Sequence, residues 1–250
     1  MRFKTTSVLA VLALGCFPLQ SLAAISLGTA GNFSVLAGST ATNTGASLID
    51  GGNVGVSPGT SLTGFLPGVL LPPFTLHSAD AAALQAQVDL NTAYTAAAAL
   101  PFTQDLTGVN LGGLTLLPGV YKFSSSAQLT GALTLNANSD PNAQFIFQIG
   151  STLTTAAGSS VTVINNVASP ACIVFWQVGS SATLGAGNAF QGHILALASI
   201  TVGAGTAIVS GSALAHTGAV TLDTDHIVGC AGSVVPVRST TWSAVKSYYR

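Results

Sequence analysis

Charge is what this chain has least of. Only 5% of its 250 residues are Asp, Glu, Lys or Arg, against about 25% in an ordinary soluble domain. Glu is absent altogether, so all seven acidic residues are Asp, and six basic residues bring the formal net charge to −1. Without clustered Lys and Arg there is nothing to displace counterions from a phosphate backbone, which excludes nucleic-acid binding. Seven carboxylates and four histidines also leave little material for acid–base catalysis, so the chain is not expected to be an enzyme or to need a cofactor. Cysteine is scarce as well: three residues with no CxxC spacing make a structural metal site unexpected. What is abundant is apolar, at 48% of residues, and disorder needs the opposite combination of low hydrophobicity and high charge. The folded surface must therefore be built from Thr, Ser, Asn, Gly and Ala.

The ends differ from the middle. Arg2 and Lys4 precede a short apolar run, Val8–Phe17, and the small-x-small site Ser21-Leu22-Ala23. That is the layout of a secretory signal cleaved near Ala23; the run is shorter than the ~20 residues that span a bilayer. Gly15-Cys16 raises a lipoprotein alternative, but Ala13-Leu14 fits a lipidation box poorly. Residues 24–230 then form one domain, expected to be a secreted monomer with no membrane attachment in its mature form. Export leaves Cys172 and Cys230 as a pair in an oxidising compartment, either as a disulfide closing a 58-residue separation or as two buried thiols. Residues 231–250 hold Arg238, Lys246 and Arg250, lack the Gly/Thr rhythm before them, and read as a tail.

The middle repeats. Apolar-Thr-apolar triplets centre on Thr115, Thr134, Thr201 and Thr221, with looser copies at Thr152 and Thr183. The intervals are 19, 18, 31, 18 and 20 residues, the long one enlarged by an insertion near Asn165–Ala171. Short β-type runs at a period near 19 with frequent Gly indicate a β-solenoid. Strand side chains alternate faces, so each Thr points outward while its apolar neighbours fill the core. A second strand per coil is visible at Val161–Val163, Ala189–Gln191 and Ala207–Val209. A third, more buried one lies at Phe145–Phe147, Ile173–Trp176 and Ile194–Leu197. Three strands per coil imply a triangular section.

One segment departs from this rhythm. Ser78–Leu100 is Ala-rich, has Ser78 as an N-cap and Asp80 in its first turn, and is stopped by Pro101. Leu84, Val88 and Asn91 or Tyr94 mark one face of the resulting helix, about 78–100, which should lie alongside the solenoid. The Gly/Thr-rich text of residues 26–77 reads as further coils placed before it.

Several strings resemble a known family. Leu27–Val35, Thr42–Ser47, Gly52–Thr60, Pro118–Tyr121, Asp140–Thr155, Val174–Leu184 and Ile194–Thr201 are similar, in order, to the bacterial and fungal ice-binding (antifreeze) proteins. The resemblance covers about residues 26–230. It implies a mostly β fold, a right-handed β-solenoid of triangular section with one long helix alongside, and an ice crystal surface, met through ordered water, as the partner. The family's loose motif, Thr, Ala or Gly, any residue, then Thr or Asn, falls on Thr44-Gly45-Ala46-Ser47, with Ser for the last Thr. Later coils offer Thr155, Ala186, Ala189, Ala204, Thr206 and Ala207, where Ala replaces the common Thr.

Two rows thus compete as the ice-binding site: Thr115/134/152/183/201/221, and the row through Thr44, Thr155, Ala186 and Ala204. The chemistry favours threonine. Its χ1 is stiff, its hydroxyl can hold a water, and a bridging water is nearly as good as a direct hydrogen bond. Other uses of such a scaffold are an adhesin surface or, less plausibly, a polysaccharide-active enzyme built on Asp223 and Asp225 beside His226. Strand alternation would put those two carboxylates on one face, where they could hold a divalent cation; a solvated last turn is the favoured reading.

Overall fold

The computed structural model describes residues 24–65, 69–167 and 172–230. The expected signal segment 1–23, the tail 231–250 and residues 168–171 of the insertion lie outside the described residues.

Parallel strands wind into a three-sided β-solenoid. The first side, the helix face, contains Gln104–Asp105, Gly119–Phe123, Phe145–Ile149 and Val174–Val178, followed by the later halves of Ala189–Ala196 and Ala207–Ala215. Phe33–Ala37, Asn53–Val56 and Leu76–Ser78 complete it. The second side is a separate seven-stranded sheet of Ala127–Leu129, Leu153–Thr155, Ala182–Leu184, Ile200–Val202, Val220–Asp223, Thr40–Thr44 and Ser61–Thr63. The third side carries Thr115–Leu116, Ala132–Asn136 and Ser160–Ile164, the early halves of the two long strands, then His226–Val228, Leu48–Asp50 and Val69–Leu70.

The stack is not in chain order. The coil of residues 33–50 docks on the coil of residues 212–228: Leu36 pairs with Leu214, Thr42 with Thr221 and Ile49 with Ile227. Chain leaving the last early strand, Leu76–Ser78, enters the helix Ala81–Ala99. It then re-enters the solenoid at Gln104–Asp105, the far edge of the same face. The helix is the strut that makes this discontinuity possible; its 19 residues reach ~28 Å.

Inside the triangle, aliphatic side chains from all three sides meet a column of rings. Phe147 stacks on Trp176 at 4.0 Å, with Tyr121 and Phe190 beyond at 5.4 and 5.1 Å, and the Trp176 indole N–H donates to the Gln191 carbonyl at 3.0 Å. A second core lies between the helix and its sheet, where Leu36, Val120, Ile146, Phe175, Leu195 and Leu214 point outward to meet it. Strands on this side are buried on both faces, which is why they read as unbroken apolar runs.

The helix differs from its expected form in two ways. Its N-cap is Asp80, whose carboxylate accepts the Ala83 N–H at 2.9 Å, while Ser78 ends a strand and bonds the Thr60 carbonyl. Its buried side is Ala83, Ala86, Gln87, Leu90, Ala93 and Ala97, and Leu84 and Val88 are exposed. Small alanines let the helix backbone approach a sheet that already presents Phe and Leu, so packing volume rather than the largest apolar residues selected the inner face. Cys172 and Cys230 form a disulfide with Cα atoms 6.2 Å apart. None of the described helices is long and apolar enough to cross a membrane.

Candidate functional site

Two sides of the triangle remain open, and they differ in what they present. On four strands of the seven-stranded sheet the flanking residues are buried and the middle one is exposed. The parallel register lines these residues up and carries the row onward: Thr154 pairs with Thr183, Thr183 with Thr201, Thr201 with Thr221, Thr221 with Thr42, and Thr42 with Thr63. Six threonines on adjacent strands therefore form one unbroken ladder at ~4.8 Å spacing, extended at one end by Gln128. Two residues upstream runs a companion row of Ser126, Thr152, Ser181, Ser199, Ala219, Thr40 and Ser61. Its hydroxyls lock coil to coil: Thr152 Oγ1 donates to Ser126 Oγ at 2.9 Å, and Ser199 Oγ accepts the Ala219 N–H at 3.1 Å. Neither row carries a charged side chain; Asp223, beside Thr44, stands at the sheet's downstream margin.

Charge is held elsewhere. His77 and Asp80 pair at 2.7 Å by the helix N-terminus, and Asp89 accepts both the Thr29 N–H and its hydroxyl at 2.7 Å. These bonds hold both carboxyls below their ordinary pKa, for Asp80 chiefly the Ala83 N–H and for Asp89 chiefly the Thr29 hydroxyl. Asp50 and His226 lie on the third side.

That third side is less regular. Thr115, Thr134 and Thr162 align, but the row continues through Gln191, Val209, Val228 and Asp50. The expected row of six threonines thus divides between two sides: Thr115 and Thr134 lie on the third, while Thr183, Thr201 and Thr221 lie in the ladder and Thr152 in the companion row two residues upstream. The cause is a coincidence of spacing. The next strand after Thr134 on its own side carries Thr162, and Thr152 already belongs to the following coil's second side. Thr42, Thr63 and Thr154 complete the ladder; Thr154 has the exposed-centre alternation, whereas Thr42 is half-buried and Thr63 ends its strand after the inward-packed Leu62.

The second expected row is only partly exposed. Thr155, Thr206 and Ser47 are buried at the corner between the second and third sides. Thr206 Oγ1 donates to the Gly185 carbonyl at 2.9 Å, Thr155 Oγ1 accepts from the Gly185 N–H and from Asn188 Nδ2, and Ser47 Oγ accepts the Asp225 N–H at 2.9 Å. A solenoid corner interrupts the sheet's ladder, and its backbone groups must find partners; these hydroxyls supply them. Thr44, Gly45, Ala46, Ala186 and Ala204 are exposed along that corner, where Gly187 and Gly205 adopt positive φ of 66° and 71° to make the turn. Ala189 and Ala207 pair on the third side.

Asp225 belongs to the same corner. It is 2% exposed and accepts the Thr206 N–H at 2.9 Å and the Asp223 N–H at 2.7 Å. The left-handed Thr224, at φ 55°, breaks the strand between the two aspartates. Asp225 therefore turns inward, neither a partner for a cation shared with Asp223 nor part of a solvated turn. Burial pushes its carboxyl up to about 6 against the opposing pull of the two N–H donors, with the Asp223 charge adding a smaller upward push.

Comparison with known proteins accords with this geometry. The family model described as ice-binding-like matches residues 35–228, well over half of the chain. The chain belongs to that family. An ice-binding protein of Nostoc sp. (strain HG1) is 55% identical over 226 residues, 90% of this chain and 82% of the relative. Ice-binding protein K3-B1 of Typhula ishikariensis is 35% identical, covering 80% and 88% of the two chains. Among solved structures, an ice-binding protein from an Antarctic biological consortium superposes with a TM-score of 0.78 at 44% identity, over 89% of this chain and 96% of its own. That of the Antarctic ascomycete Antarctomyces psychrotrophicus gives 0.76 at 40% identity, over 83% and 98%. The family and these relatives are ice-binding proteins, not enzymes.

Proposed function

We propose that this protein adsorbs to ice through the seven-stranded side, and that its threonine ladder is the contact row. The observation that carries the reading is the register Thr154–Thr183–Thr201–Thr221–Thr42–Thr63. Parallel stacking repeats one stiff side chain at a fixed interval. Each hydroxyl anchors a water, and each methyl confines neighbouring waters without bonding to them. Ordered water then bridges protein and crystal at a low immobilisation cost, ~0–2 kcal/mol each. A charged side chain on this side would impose its own hydration geometry, and neither row has one. Adsorbed protein blocks growth of the covered plane and slows recrystallisation. The helix-covered side is closed to ice, and the third side mixes Val, Gln, His and Asp.

The reading includes export, supported by the signal-like residues 1–23, and action as a monomer with ice as its only macroscopic partner. The test is a pair of substitutions in purified residues 24–250. Thr201→Tyr, at the centre of the ladder, is expected to abolish ice shaping and thermal hysteresis. Thr134→Tyr, on the third side, is expected to leave both intact. Loss with Thr134→Tyr and retention with Thr201→Tyr would move the site to the other face.

A further inference from the structure

Three side chains that ice adsorption does not use converge where the third side turns into the helix face. Cys172, His193 and Cys230 come from three different coils. Their donor atoms all lie within 4.8 Å of one another, and the Cys230 sulfur is 3.5 Å from His193 Nε2. His193 is 3% exposed, bonded through Nδ1 to Ser212 Oγ at 2.8 Å and stacked on Phe175 with ring centroids 5.3 Å apart. In the tautomer whose Nδ1–H is donated to Ser212 Oγ, the Nε2 lone pair is free and the stacked ring holds it toward the sulfurs. This is how a hydrogen-bonded neighbour orients a metal-binding imidazole.

In the oxidised chain the sulfurs are bonded to each other and are poor donors. Reduction by an external dithiol or phosphine supplies two electrons, breaks the S–S bond and leaves two thiols. A divalent cation can then replace the two thiol protons, which go to solvent, forming two metal–sulfur bonds and one metal–nitrogen bond. Tetrahedral Zn²⁺, with Zn–S of about 2.3 Å and Zn–N of about 2.0 Å, needs sulfur and nitrogen about 3.5 Å apart. Cys230 and His193 already have that separation. Both cysteines are only half-buried, so a water can reach the fourth position.

We propose that the reduced protein holds a thiophilic divalent cation on Cys172, His193 and Cys230, making disulfide and metal two alternative staples of one corner. Either one pins the end of the last coil back onto the coil that begins at Val174. The inference is independent of which side binds ice.

The test uses full-length protein reduced with a phosphine, with the oxidised protein as control, titrated with Zn²⁺ alone against a chromophoric chelator. One equivalent should bind to the reduced protein and none to the oxidised. Co²⁺ in place of Zn²⁺ should give thiolate charge-transfer and tetrahedral d–d absorption. Ser212→Ala should weaken binding about 10–100-fold, and His193→Asn should weaken it and change the Co²⁺ spectrum. Should reduction unfold the chain, Zn²⁺ must restore its circular dichroism. The proposal is overturned by any of three results: binding no stronger than in a Cys172→Ser/Cys230→Ser variant, binding unaffected by His193→Asn, or an unfolded reduced chain that Zn²⁺ does not refold.

Discussion

Two buried groups in the oxidised protein titrate in opposite directions over the same pH range, and separating them tests the corner and the core together. Burial holds the His193 imidazole down to about 4, from an ordinary 6.5. Its unfolded form therefore takes up a proton first as pH falls. Stability that is fully present above pH 6.5 is lost on acidification, the loss being complete by about pH 4. At about 1.4 kcal/mol per pH unit the interval amounts to ~3 kcal/mol. Asp225 runs the other way, since its folded value of about 6 lies above the ordinary 3.8. Its folded form protonates first, and stability is gained as pH falls from about 6 to about 4, again by ~3 kcal/mol. The exposed Asp80, Asp89 and Asp105, held below 3.8 by hydrogen bonds, titrate beneath this window. Urea unfolding of the wild type should consequently give a nearly flat free energy between pH 6.5 and 4. Asp225→Asn removes the compensating gain, so its stability should fall by ~3 kcal/mol across that range; His193→Asn should rise by as much. The comparison uses slopes, so the constant cost of losing an acceptor at Asp225 does not enter. A flat profile in Asp225→Asn would refute the opposing titrations.

Three further perturbations address the scaffold. Gln148 Nε2 donates to the Ala97 and Leu100 carbonyls at 2.8 Å each, closing the helix C-terminus; Gln148→Leu should cost about 1–3 kcal/mol in urea unfolding while ice shaping persists. Leu90 is the largest buried residue of the helix, at 1% exposure, and Leu90→Ala should destabilise by about 2–5 kcal/mol, read as a lowered Tm. Removing the disulfide with Cys172→Ser/Cys230→Ser opens a 58-residue loop. On loop entropy that costs ~4 kcal/mol, and thermal unfolding in metal-free buffer measures it.

How much of this was legible in the sequence depended on whether a feature is local. The coil period, the three strands per coil and the existence of the helix follow from alternation and from an Ala-rich run between Ser78 and Pro101, all of them short-range. The ladder was half visible. Thr183, Thr201 and Thr221 keep a spacing near 19, but Thr154 is 29 residues from Thr183 and Thr42 reaches Thr221 only through the docking of an early coil on a late one. No periodicity encodes that junction, because the two coils present the same kind of edge to each other as any sequential pair does. The motif Thr44–Ser47 pointed to a real structural position, yet Ser47, Thr155 and Thr206 face inward because a corner's backbone needs donors and acceptors. The inner side of the helix was misread for a related reason: the sheet beneath it supplies the bulk, so alanine fits where Leu84 and Val88 would not.

The out-of-order stack also sets a timetable for folding. During synthesis the coil of residues 33–50 emerges first, but its lower neighbour, residues 212–228, emerges last; the Asp225–Ser47 hydrogen bond joins positions 178 apart. Contacts of such long range are slow to form, because loop closure must precede any gain from the pairing. Until then the underside of the early sheet is an open parallel edge, the kind of surface that pairs with another chain when left exposed. The ladder has the same dependence: Thr42 and Thr63 join Thr154–Thr221 only when the last coil arrives. The threonine ladder is therefore complete only once the last coil has docked, and a nascent chain cannot display it in full.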